Sequence, residues 1–279
     1  MCVDPPSEVV ATEFRGVMDE GATRPMLLDC HGFDLESREI DWDTPSEYVV
    51  KLTRPSDGQD FRTRMACELI CAMLGNALGL NVPGYGFVYV SKEFVESVPD
   101  DEAQERLSRN VGINFGTVYV EDVDTWISRP SEKPQTVIDQ LTQIMEYDST
   151  VLNGDRTSNR SNLLVRGNEC IPIDHEDTLR VYLMNETDYE EFLAEPLMDD
   201  GELRNHAAYD DLRWHGASFG QVAAQWRDIP IEEKLDFISD HVPPQWESKD
   251  GDLERIFDFL RWRADHLQAI THQLHGVVR

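Results

Sequence analysis

Of the 279 residues, 54 are Asp or Glu and 25 are Lys or Arg, giving a net charge of −29 and an isoelectric point near 4.4. Such a surface repels phosphate backbones and anionic headgroups, which excludes direct nucleic-acid binding and polybasic membrane attachment. With 40% hydrophobic residues the chain buries a full core, which excludes global disorder.

Residues 1–24, with Pro5, Pro6 and Gly21, read as an extended N-terminal arm or edge element. Their five acids up to Gly21 lack the basic start and apolar run of a signal peptide, and no later stretch reaches the ~18 apolar residues of a membrane span. A cytoplasmic protein with no membrane partner is expected. The sequence Pro25-Met-Leu-Leu-Asp29 predicts a short strand. A polar stretch from Cys30 to Asp43 and a second strand, Glu47 to Leu52, complete a hairpin, with Pro55-Ser-Asp-Gly58 as the closing turn. Met65, Leu69, Met73, Leu74 and Leu78 recur at helical spacing and predict a helix over 61–80, stopped by Gly79 and Pro83. A strand over 85–90, a helix over 91–109, a strand over 115–120 and an acidic turn at 121–124 follow. Beyond Thr136 the pattern is a helix to about Met145, a polar loop over 153–162, two short strands (163–166 and 169–173) and helices to Val278. The expected organisation is α+β and bilobal: an arm over 1–24, a small β-rich lobe over 25–124 and a mostly helical lobe over 125–279.

The five cysteines are odd in number, and only Cys67 and Cys71 lie close, within an apolar helical pattern, so buried thiols are expected. The five lysines are outnumbered fourfold by arginine, a composition that suits either salt adaptation or a basic partner.

Polar residues in apolar settings carry the chemistry. Lys51 interrupts the strand Tyr48-Val-Val-Lys-Leu52, where an ammonium needs an anionic partner. Glu68, on the following helix, is the natural one. The loop after Val151 packs Asn153, Asp155, Arg156, Asn159, Arg160 and Asn162 between apolar runs, and the strand after it ends in Asp174 and His175. A loop carboxylate, a loop amide, a short hairpin and a second carboxylate form the order in which kinases hold a base and magnesium. One Asp takes the acceptor proton, while an Asn and a second Asp supply hard oxygen ligands.

The segment Asn153-Gly-Asp-Arg-Thr-Ser-Asn-Arg-Ser-Asn-Leu-Leu164, followed by Ile173-Asp-His175, resembles the catalytic and metal-binding segments of the HipA-like kinase family, relatives of the protein- and lipid-kinase superfamily. Tyr48-Val-Val-Lys51, Glu68-Leu-Ile-Cys-Ala72 running into Leu78-Gly-Leu-Asn-Val-Pro83, and Pro243-Pro-Gln-Trp246 are similar as well, so the resemblance spans about Asp29 to Leu274. It implies a protein-kinase-like bilobal fold using ATP and Mg²⁺. Lys51 would sit on the nucleotide phosphates with Glu68 as its partner, Asp155 would be the catalytic base, and Asn162 and Asp174 the magnesium ligands. The adenine would sit between the lobes near Val118, Val120 and Asp122. Six residues separate Asp155 from Asn162 where protein kinases have four, which keeps Asn159 open as the ligand. Glu176 stands where similar kinases place Gly, and Gly32 is the only glycine in the candidate nucleotide hairpin.

The expected activity is phosphoryl transfer from Mg-ATP to a hydroxyl, that of a protein Ser or Thr or of a small alcohol. The alternative is a catalytically silent module of the same architecture that sequesters a basic partner. Any regulator would be encoded separately.

Overall fold

The computed structural model describes residues 4–18, 24–52, 61–194 and 197–279; Cys2, Gly21 and the expected turn at 55–58 lie outside the described residues. The chain divides into two compact units, a β-rich one of Pro5–Met65 and Pro83–Glu121 and a helical one containing Ala66–Val82 and Asp122–Arg279. The second half of the helix expected within the first lobe therefore groups with the helical unit.

In the β-rich unit, β1 (Ser7–Val17), β2 (Met26–Phe33), β3 (Ile40–Val50), β4 (Tyr85–Val90) and β5 (Gly112–Val118) close a barrel in the order β1-β2-β3-β5-β4. Period-two alternation drives the closure: Met26, Leu28 and Cys30 of β2 turn inward to meet Val50 of β3 and Val88 and Val90 of β4. Residues 7–17 are thus not an arm. β1 pairs antiparallel with β2 and parallel with β4, and bulges after Ala11 and Phe14 bend it around the barrel. The long-range parallel contact requires Gly86, because a Cβ there would lie 2.3 Å from the Ser7 carbonyl oxygen.

The expected helix over 91–109 is two helices, α2 (Lys92–Ser97) and α3 (Asp101–Ser108). Pro99 holds Val98 extended (ψ 124°), and Asp100 restarts the helix by accepting a hydrogen bond from the Ala103 amide at 2.7 Å. Helix α1 (Phe61–Ala77) carries the chain out of the β-rich unit, so its later turns belong to the helical one.

The helical unit is built on α4 (Gln135–Val151), every residue of which is buried from Leu141 to Val151. It runs two turns past the expected end. A helix buried all round must satisfy its own polar side chains. Glu146 accepts from the amides of Gly220 and Val222, both at 3.0 Å, and so caps α8 (Gln221–Asp228) from outside. The Arg263 guanidinium, on α10 (Asp252–Ala264), donates to the carbonyls of Ser149 and Thr150 at the α4 C-terminus. Helices α7 (Tyr209–His215), α8 and α11 (Leu267–Val278) pack on α4, as does β8 (Glu169–Pro172), which forms a three-stranded sheet with β7 (Leu163–Arg166) and β6 (Asp124–Thr125). α5 (Glu186–Ala194), α6 (Asp200–Arg204) and α9 (Ile231–His241) complete the unit.

Cys30, Cys67, Cys71 and Cys170 are buried thiols, as expected. Burial pushes Cys71 up to about 12 and Cys170 up to about 11, so neither is a thiolate at neutral pH. Among the described residues no helix is long and apolar enough to cross a membrane.

Gly86→Ala is expected to lower stability by about 1–3 kcal/mol by forcing β1 from β4. Urea unfolding measures this, and an unchanged midpoint would contradict the close approach.

Candidate active site

The candidate site grows from the end of α4. Leu152 adopts the left-handed conformation that ends the helix (φ 57°), and the Asn153 amide returns to the Asp148 carbonyl at 2.8 Å. The Asn153 side chain donates to Asp148 Oδ1 at 2.9 Å and accepts from the Asp155 amide at 3.1 Å, so the direction in which Asp155 leaves the helix is fixed.

Asp148 and Arg156, both about 1% exposed, form a buried ion pair (Nε to Oδ2, 2.6 Å). His206 Nε2 donates to the same oxygen at 2.9 Å; its Nδ1 accepts from the Ala208 amide at 3.1 Å, which fixes the tautomer. Burial alone would raise the Asp148 carboxyl, but Arg156 and His206 outweigh it and hold it well below the usual carboxylate range.

Arg156 then ties two segments together. Its Nη1 donates to the carbonyls of Asn162 and Ile173, and its Nη2 donates to His175 Nε2 at 3.0 Å. The Ile173 amide closes the tie on the Asn162 carbonyl at 3.0 Å. Asn162 and Asp174 emerge from this knot with left-handed backbones, φ 43° and 62°. Such conformations cost energy in non-glycine residues, though Asn and Asp tolerate them best, and they recur at functional positions. Glu176, at the place where a glycine was expected, does not need a positive φ.

Asp155 is half-buried and accepts from Asn162 Nδ2 at 3.1 Å and from Arg160 Nη1 at 3.0 Å to both oxygens. Asn159 is exposed, so the residue brought to Asp155 is Asn162. Asp174 joins Glu68 and Glu176, with one carboxylate oxygen of each within 4.8 Å of the others. Glu68 and Glu176 are buried, and Glu68 Oε2 also accepts from the His175 amide at 2.9 Å. Three carboxylates so close are stable together when a cation offsets their repulsion, and their hard oxygens fit Mg²⁺.

Lys51 lies in the β-rich unit, 9% exposed, its amide bonded to the Phe115 carbonyl at 3.0 Å. Val118 ends β5 and donates to the Gly84 carbonyl at 2.7 Å; Val120 is half-buried, and the chain passes from one unit to the other between Glu121 and Asp122, where Asp122 has φ 55°. Sequence reasoning missed Asp148 and His206, and it placed Arg160 in the loop without assigning it to Asp155. Asp148 lies beyond the expected helix end at about Met145, so its burial on α4 left no mark in the sequence pattern, and His206 carries no signal either.

The sequence matches the HipA-like kinase family over residues 12–274. The chain belongs to this family. The resemblance read from its motifs is thereby borne out, and kinase chemistry in general with it. No curated protein matches this HipA-like kinase. Its fold is similar to that of a Helicobacter pylori proinflammatory kinase, CtkA, at 14% identity over 98% of this chain and 96% of that one, with a TM-score of 0.50.

Arg156→Met is expected to cost about 3–5 kcal/mol by leaving the Asp148 charge buried without its partner. Because the Asp148 carboxyl titrates lower in the folded protein than in the unfolded chain, its stabilisation is complete above about pH 3.9 and is lost as pH falls below it. Urea midpoints taken down to about pH 3 should fall on the acid side, and Asp148→Asn should flatten part of that fall. Coincident acid limbs would contradict the assignment.

Proposed function

We propose that this HipA-like kinase transfers the γ-phosphoryl group of Mg-ATP to the hydroxyl of a protein Ser or Thr. The observation that carries the reading is the knot at Arg156, which joins the Asp155–Asn162 loop to the segment bearing Asp174. A base and candidate metal ligands thereby share one rigid support. The hydroxyl proton passes to Asp155, the acceptor oxygen bonds to the γ-phosphorus, and the bond from that phosphorus to the β–γ bridging oxygen breaks to release ADP.

Asp155 begins with both oxygens engaged by Arg160, a half-exposed side chain that releases one of them as the acceptor arrives. Asn162 Oδ1 and Asp174 would hold the metal, with Glu68 and Glu176 completing an oxygen donor set. A bound magnesium ion would neutralise charge building on the phosphate oxygens. Lys51 is the proposed cation for the nucleotide phosphates, and the main chain from Val118 through Val120 to Asp122 the adenine contact. The net charge of −29 supports a basic protein as acceptor. Lys51, Glu68, Asp155, Asn162 and Asp174 all being kept favours an active enzyme over a silent module.

Thermal midpoints with ATP, with and without magnesium, test the nucleotide site. Saturation at 100 times the dissociation constant stabilises by ~2.7 kcal/mol, a rise of several degrees for a chain of this size. The rise should require magnesium, vanish in Asp174→Ala and shrink in Lys51→Met. An equal rise in Asp174→Ala would remove that residue from the site.

A further inference from the structure

Beside Asp155 the helical unit opens a cavity of about 430 Å³. Val181, Met184, Phe192 and Leu197 give it an apolar wall, and Asp155, Asp199 and Glu202 face it with carboxylates. We propose that this cavity is the acceptor subsite, and that it selects a peptide whose hydroxyl residue is flanked by one cationic and one apolar side chain. The proposal rests on the kinase reading above and gives that reading its substrate class.

Charge comes first. Four carboxylates and one guanidinium line the cavity, and the guanidinium, Arg180, is already paired with Asp177 at 3.4 Å. Asp199 directs one oxygen to the Gly201 amide at 2.7 Å, and Asp155 is held by Arg160, which leaves Glu202 as the carboxylate best placed for an incoming cation. Glu202 stands over the residue preceding the base, since a Cβ on Gly154 would lie 3.8 Å from its Oε1. A cation bound there would sit next to the hydroxyl residue in the acceptor. An anionic acceptor would meet repulsion from the carboxylates, which outnumber the single guanidinium.

Size and the apolar wall decide between a peptide and a small amino alcohol. The volume lies in the range of about 300–1,000 Å³ typical of sites for drug-sized ligands, larger than one short alcohol fills. Phe192 is held against Phe259, ring centroids 6.0 Å apart, and so presents a fixed apolar surface. Leu197, at 38% exposure, lines the same cavity and adds solvent-facing apolar surface, which a side chain flanking the acceptor residue of an extended ligand would cover.

The test is labelled phosphoryl transfer from Mg-ATP to a pool of single-serine peptides with Arg, Leu, Ala or Glu at each flank, with free cationic amino alcohols as a second pool. Wild type should favour peptides bearing Arg and Leu by about tenfold in kcat/KM over Ala-flanked ones. Glu202→Lys should shift the preference from Arg to Glu, and Phe192→Ala should erase the preference for Leu. Circular dichroism and the magnesium-dependent nucleotide shift establish that both variants fold. Transfer without flank preference, or a preference untouched by both substitutions, would overturn the subsite and leave the kinase reading standing. Transfer to the amino alcohols in place of peptides would overturn the peptide assignment. No transfer from wild type to any acceptor would overturn the kinase reading, and the subsite with it.

Discussion

The buried pair of Asp148 and Arg156 bears the organisation of the helical unit. Removing two charges from water costs several kcal/mol per ion, and their mutual attraction repays this only when the remaining donors and acceptors are filled. Here they are. Asn153 and His206 fill the carboxylate, while two carbonyls and His175 take the guanidinium's other protons. A hydrophobic pair of similar volume would pack α4 as well but could not hold the carbonyls of Asn162 and Ile173 at one point. The pair is best understood as a registering device: it spends stability to fix two loops against each other.

What those loops hold is negative charge. Asp155 lies on one, Asp174 and Glu176 on the other, and Glu68 reaches the second from α1. Repulsion within the carboxylate group and left-handed backbones at Asn162 and Asp174 are both unfavourable, and both are tolerated because Arg156 and the Glu68 bond to the His175 amide leave the segments little room to relax. Strain of this kind is the ordinary cost of a preorganised phosphoryl-transfer site. The acidic rim of the neighbouring cavity extends the same charge, so under the proposed function one electrostatic sign would serve both a metal ion and a cationic acceptor.

Much of this was legible in the sequence because it depends on local pattern. The strand over 85–90 coincides with β4, and the periodicity from Met65 to Leu78 marks α1. The order Asp155, Asn162, Asp174 pointed to kinase chemistry before any fold was known, and the family match agrees. What was hidden depends on distant pairing. β1 resembled an arm because its acids sit on the outer face, and its place is set by a parallel neighbour about 80 residues away through Gly86. Pro99 was a local signal that the helical pattern over 91–109 concealed. Glu176 follows Asp174 closely enough to be read as its companion, but the approach of Glu68 to that pair and of His206 to Asp148 could not be read, since nothing in linear spacing brings them there.

The central claim is that the carboxylate held at the end of this knot acts as a base in phosphoryl transfer. Transfer of label from γ-labelled ATP to a basic protein acceptor, in wild type and in Asp155→Asn under magnesium, tests it most directly. The account predicts a fall of about 10²- to 10⁴-fold in Asp155→Asn with the magnesium-dependent nucleotide shift preserved. Equal transfer by the two proteins would contradict it.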